Sequence, residues 1–160
     1  MNQKEIEHLK AAISAARISR EKGNHPFGAV LVDDHNQIVL TAENTVNTAQ
    51  DATGHAETNL VRLASQKYAP AELAKFTLYT STEPCAMCAG AIHWSRIGRV
   101  VYALSEVGLY DIVGPSPEHL ALPCREIFAR SQRPVLVVGP VAEVDAEARA
   151  VHKDFWTSQG

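Results

Sequence analysis

Apolar residues at Ile6, Leu9, Ile13 and Ala16 recur every three or four positions, which predicts an amphipathic helix over about residues 3 to 22, closed by Gly23. Beyond Gly23 the period changes. GAVLVDDHNQIVLTAEN holds two apolar runs around Asp33, Asp34, His35 and Asn36, the pattern of a β-hairpin with a polar turn. Leu60, Leu63 and Ala64 form a second helical stripe, from His55 to about Lys67. FTLYTST, residues 76 to 82, reads as a buried strand running into Pro84; Pro is favoured in the first turn of a helix, so a helix is expected from there to about Ser95. RVVYAL and PVLVVG are two further strands. Between them EVGLYDIVGPSPEH is rich in Gly and Pro and reads as a loop, with a helix after it near 123 to 131. A last helix is expected from about Val144 to Trp156.

After the hairpin, strands alternate with helices. That order predicts an α/β fold, a mixed central sheet covered on both faces, hence a three-layer α/β/α sandwich. No repeat, low-complexity tract or linker divides the chain, so residues 1–160 are expected to form one domain. In such sheets sites form where strands end and helices begin. HAE at 55 to 57 and PCAMC at 84 to 88 both fall at such places.

Composition narrows the classes. The formal net charge of −3 removes a whole-protein field that would gather nucleic acid, and Arg96 with Arg99 make a poor phosphate platform. MNQKEIEHLK lacks the apolar core of a secretory signal, and no apolar run approaches a membrane span. The cysteines are Cys85, Cys88 and Cys124, an odd number with two of them three apart. That argues against a disulfide framework and for a reduced, cytoplasmic setting with a use for the close pair.

Three apart at a helix start, Cys85 and Cys88 share a face, and the helix N-terminus favours negative charge there. Such a pair suits zinc, a redox couple or chance. His55, also opening a helix, adds a neutral imidazole and completes a Cys₂His set that leaves a fourth tetrahedral position for water, as a catalytic zinc requires. Glu57, two residues on, can reach that water without ligating the metal and shuttle its proton to a leaving group. The plainer role for Glu57 is to complement the helix dipole. H-x-E followed by P-C-x-x-C is the zinc deaminase pattern, and both halves are present.

From about HPFGAVLV to RVVYAL the chain resembles the cytidine deaminase-like superfamily, in its purine and tRNA branch. PFGAV, the EN at 43 to 44, DATGHAE and TSTEPCAMCAGAIHWSRIGRV carry the likeness. The resemblance implies the same sandwich fold, a homodimer or larger oligomer, and one Zn²⁺ per chain carrying a water or hydroxide that displaces ammonia from a ring carbon. It also implies that main-chain N–H groups, that of Ala56 after His55 and those near Cys85, orient the reacting parts. Asn44 matches a residue that hydrogen-bonds the base; a turn at the end of a strand is its other use. Guanine deaminases resemble the chain at PFGAV, at NTVNTAQDATGHAE and at AIHW, which makes Phe27 and Trp94 pocket residues and Asp111 a partner for a purine ring N–H. Core packing for the two aromatics, and solvation for the loop Asp, are the alternatives.

SRIGRVVY is closer to tRNA adenosine deaminases, but their Lys- and Arg-rich terminal helix is missing from VAEVDAEARAVHKDFWTSQG. Guanine deaminases end in a pocket-closing Tyr, where this chain has Phe155, Trp156 and TSQG. Trp156 resembles the late Trp of cytosine deaminases. The expected partner is therefore a small heterocyclic amine, guanine or a relative first. The rivals are a tRNA-editing adenosine deaminase, a deaminase of cytosine, pterin or triazine, and a non-enzymatic zinc domain. Cys124 suits a small buried role or, alternatively, a fourth ligand that would close the metal. His93 reads as packed or exposed; His25, His35, His119 and His152 carry no expected role.

Overall fold

The computed structural model describes residues 1–158. Helix α1, Gln3–Glu21, starts at a reciprocal cap: Asn2 Oδ1 accepts from the Glu5 N–H at 2.9 Å while Glu5 Oε2 accepts from the Asn2 N–H at 3.2 Å. It stops at Gly23, whose φ of +93° is open to glycine without strain. Strands β1, Gly28–Val32, and β2, Ile38–Glu43, form the expected hairpin. Asp33 Oδ1 holds the turn by accepting from the N–H groups of His35 and Gln37, each at 2.9 Å.

Then follow α2, Val46–Ala49; α3, Ala56–Lys67; α4, Pro70–Leu73; β3, Thr77–Thr82; α5, Ala86–Ser95; and β4, Arg99–Leu104. Helix α6 is Glu106–Val113 and α7 is Cys124–Ala129. Strand β5, Leu136–Val138, and a 3-10 turn at Ala142–Val144 lead to α8, Asp145–Ala150, and α9, Phe155–Ser158. The sheet runs β2-β1-β3-β4-β5, with β1 antiparallel to both neighbours and β3, β4 and β5 parallel.

Strand alternation divides the core between two faces. Ala29, Leu31, Leu78, Val100 and Tyr102 pack with residues of α3, α5 and α7. Val30, Val32, Tyr79, Val101 and Ala103 pack with α1 and α8 on the other side. The three-layer mixed sheet is therefore present. Burying a side chain such as Leu31 or Leu78, each fully enclosed, stabilises the fold by roughly 2 kcal/mol. Gly28 sets how closely α1 crosses the sheet, because a Cβ there would collide with backbone atoms of Ala12 and Ala16.

Two expectations are corrected. EVGLYDIVGPSPEH is not a loop throughout: Ser105 caps α6 by accepting from the Gly108 N–H at 3.0 Å, and the prolines lie beyond Gly114, where the helix has ended. The single last helix is instead α8 and α9, separated by turns through Asp154, whose φ is +62°. Among the described residues no helix is long and apolar enough to cross a membrane.

Candidate active site

Strand β3 ends at Thr82, and three residues later Cys85 becomes the cap of α5 with extended backbone, φ −67° and ψ 173°. Cys88 follows in the first turn and is fully buried. His55 caps α3 in the same manner, φ −73° and ψ 154°, and α3 packs beside α5. The loop before His55 is pinned by the Thr45 N–H to the Gly54 carbonyl at 2.8 Å and by Asn59 Nδ2 to the Glu43 carbonyl at 2.9 Å. Two helix starts, one from each half of the motif, therefore converge.

Nδ1 of His55 lies 3.5 Å from Sγ of both Cys85 and Cys88. A tetrahedral ion with bonds of about 2.3 Å to sulfur and 2.05 Å to nitrogen separates those atoms by roughly 3.6 Å. The donor set thus fits zinc in both chemistry and spacing, with Nδ1 as the nitrogen offered. Among the described residues the three donors all lie within 4.8 Å of one another.

Without an ion the three groups share protons. A hydrogen bond from the Cys88 thiol, and then His55, pull Cys85 down to about 4, whereas Cys85 pushes Cys88 well up; the hydrogen bond to Cys85 raises His55. A divalent ion displaces those protons, so ion binding and deprotonation are linked. Glu57, 6% exposed in the first turn of α3, is raised to about 7 by burial and then by Cys85. A carboxyl balanced near neutrality suits proton exchange.

Glu83 is a site-building residue that the sequence did not announce. Its Oε1 accepts from the Glu106 N–H at 3.0 Å and its Oε2 from the Cys124 N–H at 2.9 Å. It thereby ties the starts of α6 and α7 to the strand end that carries Cys85. Its partners lie 23 and 41 residues away, so no local pattern reveals them.

Asn44 is buried and held through its backbone: its N–H donates to the Phe27 carbonyl at 3.1 Å and its own carbonyl accepts from Ser19 Oγ at 2.9 Å. Its Oδ1 accepts from the Val46 N–H at 3.0 Å, the turn role, while Nδ2 makes no hydrogen bond among the described residues. Phe27 meets Trp156 at 6.1 Å and His152 at 5.4 Å between ring centroids. His25 lies 5.5 Å from Trp156, and burial together with the charge of His55 lowers its pKa. An aromatic wall built from both ends of the chain thus approaches His55. His25 and His152, assigned no role from sequence, belong to it. Ala56 is fully buried at the first position of α3, where the helix leaves its N–H without an acceptor.

Trp94 and Asp111 are not brought to this cluster within the chain. Trp94 lies in the last turn of α5 with 80% of its surface exposed, beside a groove of about 420 Å³ lined by Arg96, Arg130 and Arg133. Asp111 lies exposed on α6. Cys124 is buried outside the ligand group, its thiol pushed up to about 12 by burial and Glu83. Residues 159 and 160 of the TSQG terminus lie outside the described residues.

The layered sheet, the paired helix starts and the His/Cys/Cys grip define a zinc-binding deaminase scaffold. Residues 2–104 match the family model of the cytidine and deoxycytidylate deaminase zinc-binding region, and the chain belongs to that family. It is 40% identical over 158 residues to a probable cytosine deaminase of Schizosaccharomyces pombe, covering 98% of this chain and 94% of that one. It is 43% identical over 96 residues to a guanine deaminase of Bacillus subtilis, 59% of this chain and 61% of the relative. The solved Bacillus subtilis guanine deaminase superposes with a TM-score of 0.61 at 30% identity, over 94% of this chain and 93% of that one.

Proposed function

We propose that the protein hydrolyses the exocyclic C–N bond of a small, free nucleobase-like ring, with cytosine the first substrate to test. The observation that carries this reading is the buried Glu57 beside a three-donor grip, a composition suited to moving protons next to a metal. His55, Cys85 and Cys88 would hold a zinc ion, which when bound would supply Lewis acidity and make water nucleophilic near neutral pH. Glu57 would relay the attacking water's two protons in turn, one to the ring nitrogen beside the attacked carbon and the other to the exocyclic nitrogen. The ring gains C=O, the C–N bond breaks and ammonia leaves, consuming one water.

Asn44 offers Nδ2 to a ring acceptor, and Phe27 with Trp156 encloses the ring faces. The first choice of ring moves from guanine to cytosine for two reasons. The likeness to a probable cytosine deaminase spans the chain, including its C-terminal part. Trp156 also folds back onto Phe27 of its own chain. Guanine remains the second reading, favoured by the 43% identity through the region that contains the ligands. The net charge of −3 supports a free ring over an RNA stem-loop. Ammonia release from cytosine, guanine, adenine, pterins and aminotriazines, measured beside Glu57→Ala, tests the reading. Turnover of a ring that disappears in that variant is expected; release at the wild-type rate in the variant would remove the proposed shuttle.

A further inference from the structure

No other large hydrophobic side chain among the described residues is as exposed as Trp94, at 80%. Its ring meets His93 at 75° with centroids 4.7 Å apart, so the indole is propped at the edge of the groove that both residues line. At about 420 Å³ that groove has the size of a small-molecule site. Hydrogen bonds lace its two walls together. Arg133 Nη2 donates to the His93 carbonyl at 2.8 Å, while Ser131 Oγ lies 3.0 Å from His93 Nδ1 and accepts from the Arg133 N–H at 3.2 Å. The lining holds three arginines and no carboxylate. Arg133 answers the carbonyl end of α5, an ordinary use of a cation at a helix C-terminus. Arg96 and Arg130, the C-caps of α5 and α7, are exposed, and their side chains make neither a hydrogen bond nor an ion pair among the described residues. Two uncompensated guanidinium groups beside a bare indole, in a chain of net charge −3, suit an anion that carries a flat ring.

We propose that this groove is a second ligand site, built for a nucleoside monophosphate: Arg96 and Arg130 receive the phosphate, and the indole of Trp94 stacks on the base. The planar guanidinium fork matches phosphate oxygens two at a time, which a lysine in the same place would not. Stacking on an indole accepts any base, because every base has a π-face, so the groove selects for the phosphate and tolerates the ring. The site is separate from the candidate metal centre. Trp94 and Cys85 lie at opposite ends of α5, roughly 13 Å apart along the helix axis. Because the chain as a whole is acidic, the positive field is confined to the groove, which fits one phosphate better than the backbone of a nucleic-acid strand.

The test titrates the full chain with AMP, CMP, adenosine and inorganic phosphate by calorimetry, in wild type, Trp94→Ala and Arg130→Ala. AMP and CMP should each bind once per chain with Kd below about 1 mM, weakening as salt is added. Adenosine and phosphate, each holding half of the determinants, should bind at least roughly tenfold more weakly. Arg130→Ala should weaken AMP by roughly tenfold or more, and Trp94→Ala by roughly tenfold while leaving phosphate unchanged. In ¹⁵N spectra of wild type, the indole N–H resonance that is lost in Trp94→Phe should move on addition of AMP. That readout needs no folded arginine variant. Failure of both nucleotides to bind, or binding that both variants retain in full, would overturn the assignment. So would a Trp94 resonance indifferent to AMP, including the case in which a second copy of the chain covers the indole, or an oligonucleotide that binds the groove far more tightly than AMP. Each of these outcomes leaves the deaminase reading standing.

Discussion

Replacing Glu57 by Gln should make the protein a poorer catalyst and, when metal-free, a more stable one. The amide keeps the size of the carboxyl but cannot ionise. In the folded chain burial raises Glu57 from its ordinary 4.5 to about 7. Below pH 4.5 the residue is protonated in folded and unfolded chains alike and nothing is lost. Between 4.5 and 7 the folded chain retains a proton that the unfolded chain has released, so stability falls as pH rises. Above 7 the full cost is present, about 3 kcal/mol. Glu57→Gln removes that cost, so urea unfolding of chelator-treated protein should show the variant more stable at pH 8 by up to about 3 kcal/mol, with the gap closing near pH 4.5. Turnover by zinc-loaded protein should fall by roughly 10²- to 10⁴-fold, the range for losing a positioned acid–base group. A variant that turns over normally would refute the shuttle. A variant no more stable at pH 8 than at pH 4.5 would refute the burial argument.

Other perturbations follow from the same geometry. Cys88→Ser replaces a fully buried candidate ligand and should leave protein that purifies with well under one zinc per chain, by atomic emission, and releases no ammonia. His152, held at about 4 against its ordinary 6.5, binds fewer protons folded than unfolded between those values. Stability should therefore fall by about 3 kcal/mol as pH drops from 6.5 to 4, and His152→Phe should flatten that part of the profile. Glu83→Ala leaves the N–H groups of Glu106 and Cys124 without their carboxylate. A loss of about 3 kcal/mol is expected, or roughly 10 °C in Tm by calorimetry.

The convergence of His55, Cys85 and Cys88, with Glu57 beside them, was legible because its signal is local. Each sits within three residues of a partner at a helix start, and the hydrophobic period announces those helices. Helix α6 was not legible: Gly108, Gly114 and two prolines looked like loop chemistry, although the prolines fall after the stop. The break at Asp154 was hidden for the opposite reason, since residues 144 to 156 contain no Gly or Pro to mark it. Contacts between distant segments lay furthest out of reach. Phe27 and Trp156 lie at opposite ends of the chain, and the Trp156–His152 hydrogen bond gains its meaning only from that closure. Trp94 shows the converse: a motif match assigned it to the pocket, while the end of α5 faces outward in the single chain.

One imidazole and two thiolates are expected to hold a zinc ion and leave one position open. X-ray absorption at the zinc edge, on protein whose metal content has been counted, addresses it most directly. One zinc per chain is predicted, with two sulfurs, one histidine nitrogen and one light atom that exchanges with an added competing ligand. A chain without stoichiometric zinc, or a zinc enclosed by four side chains, would contradict the account.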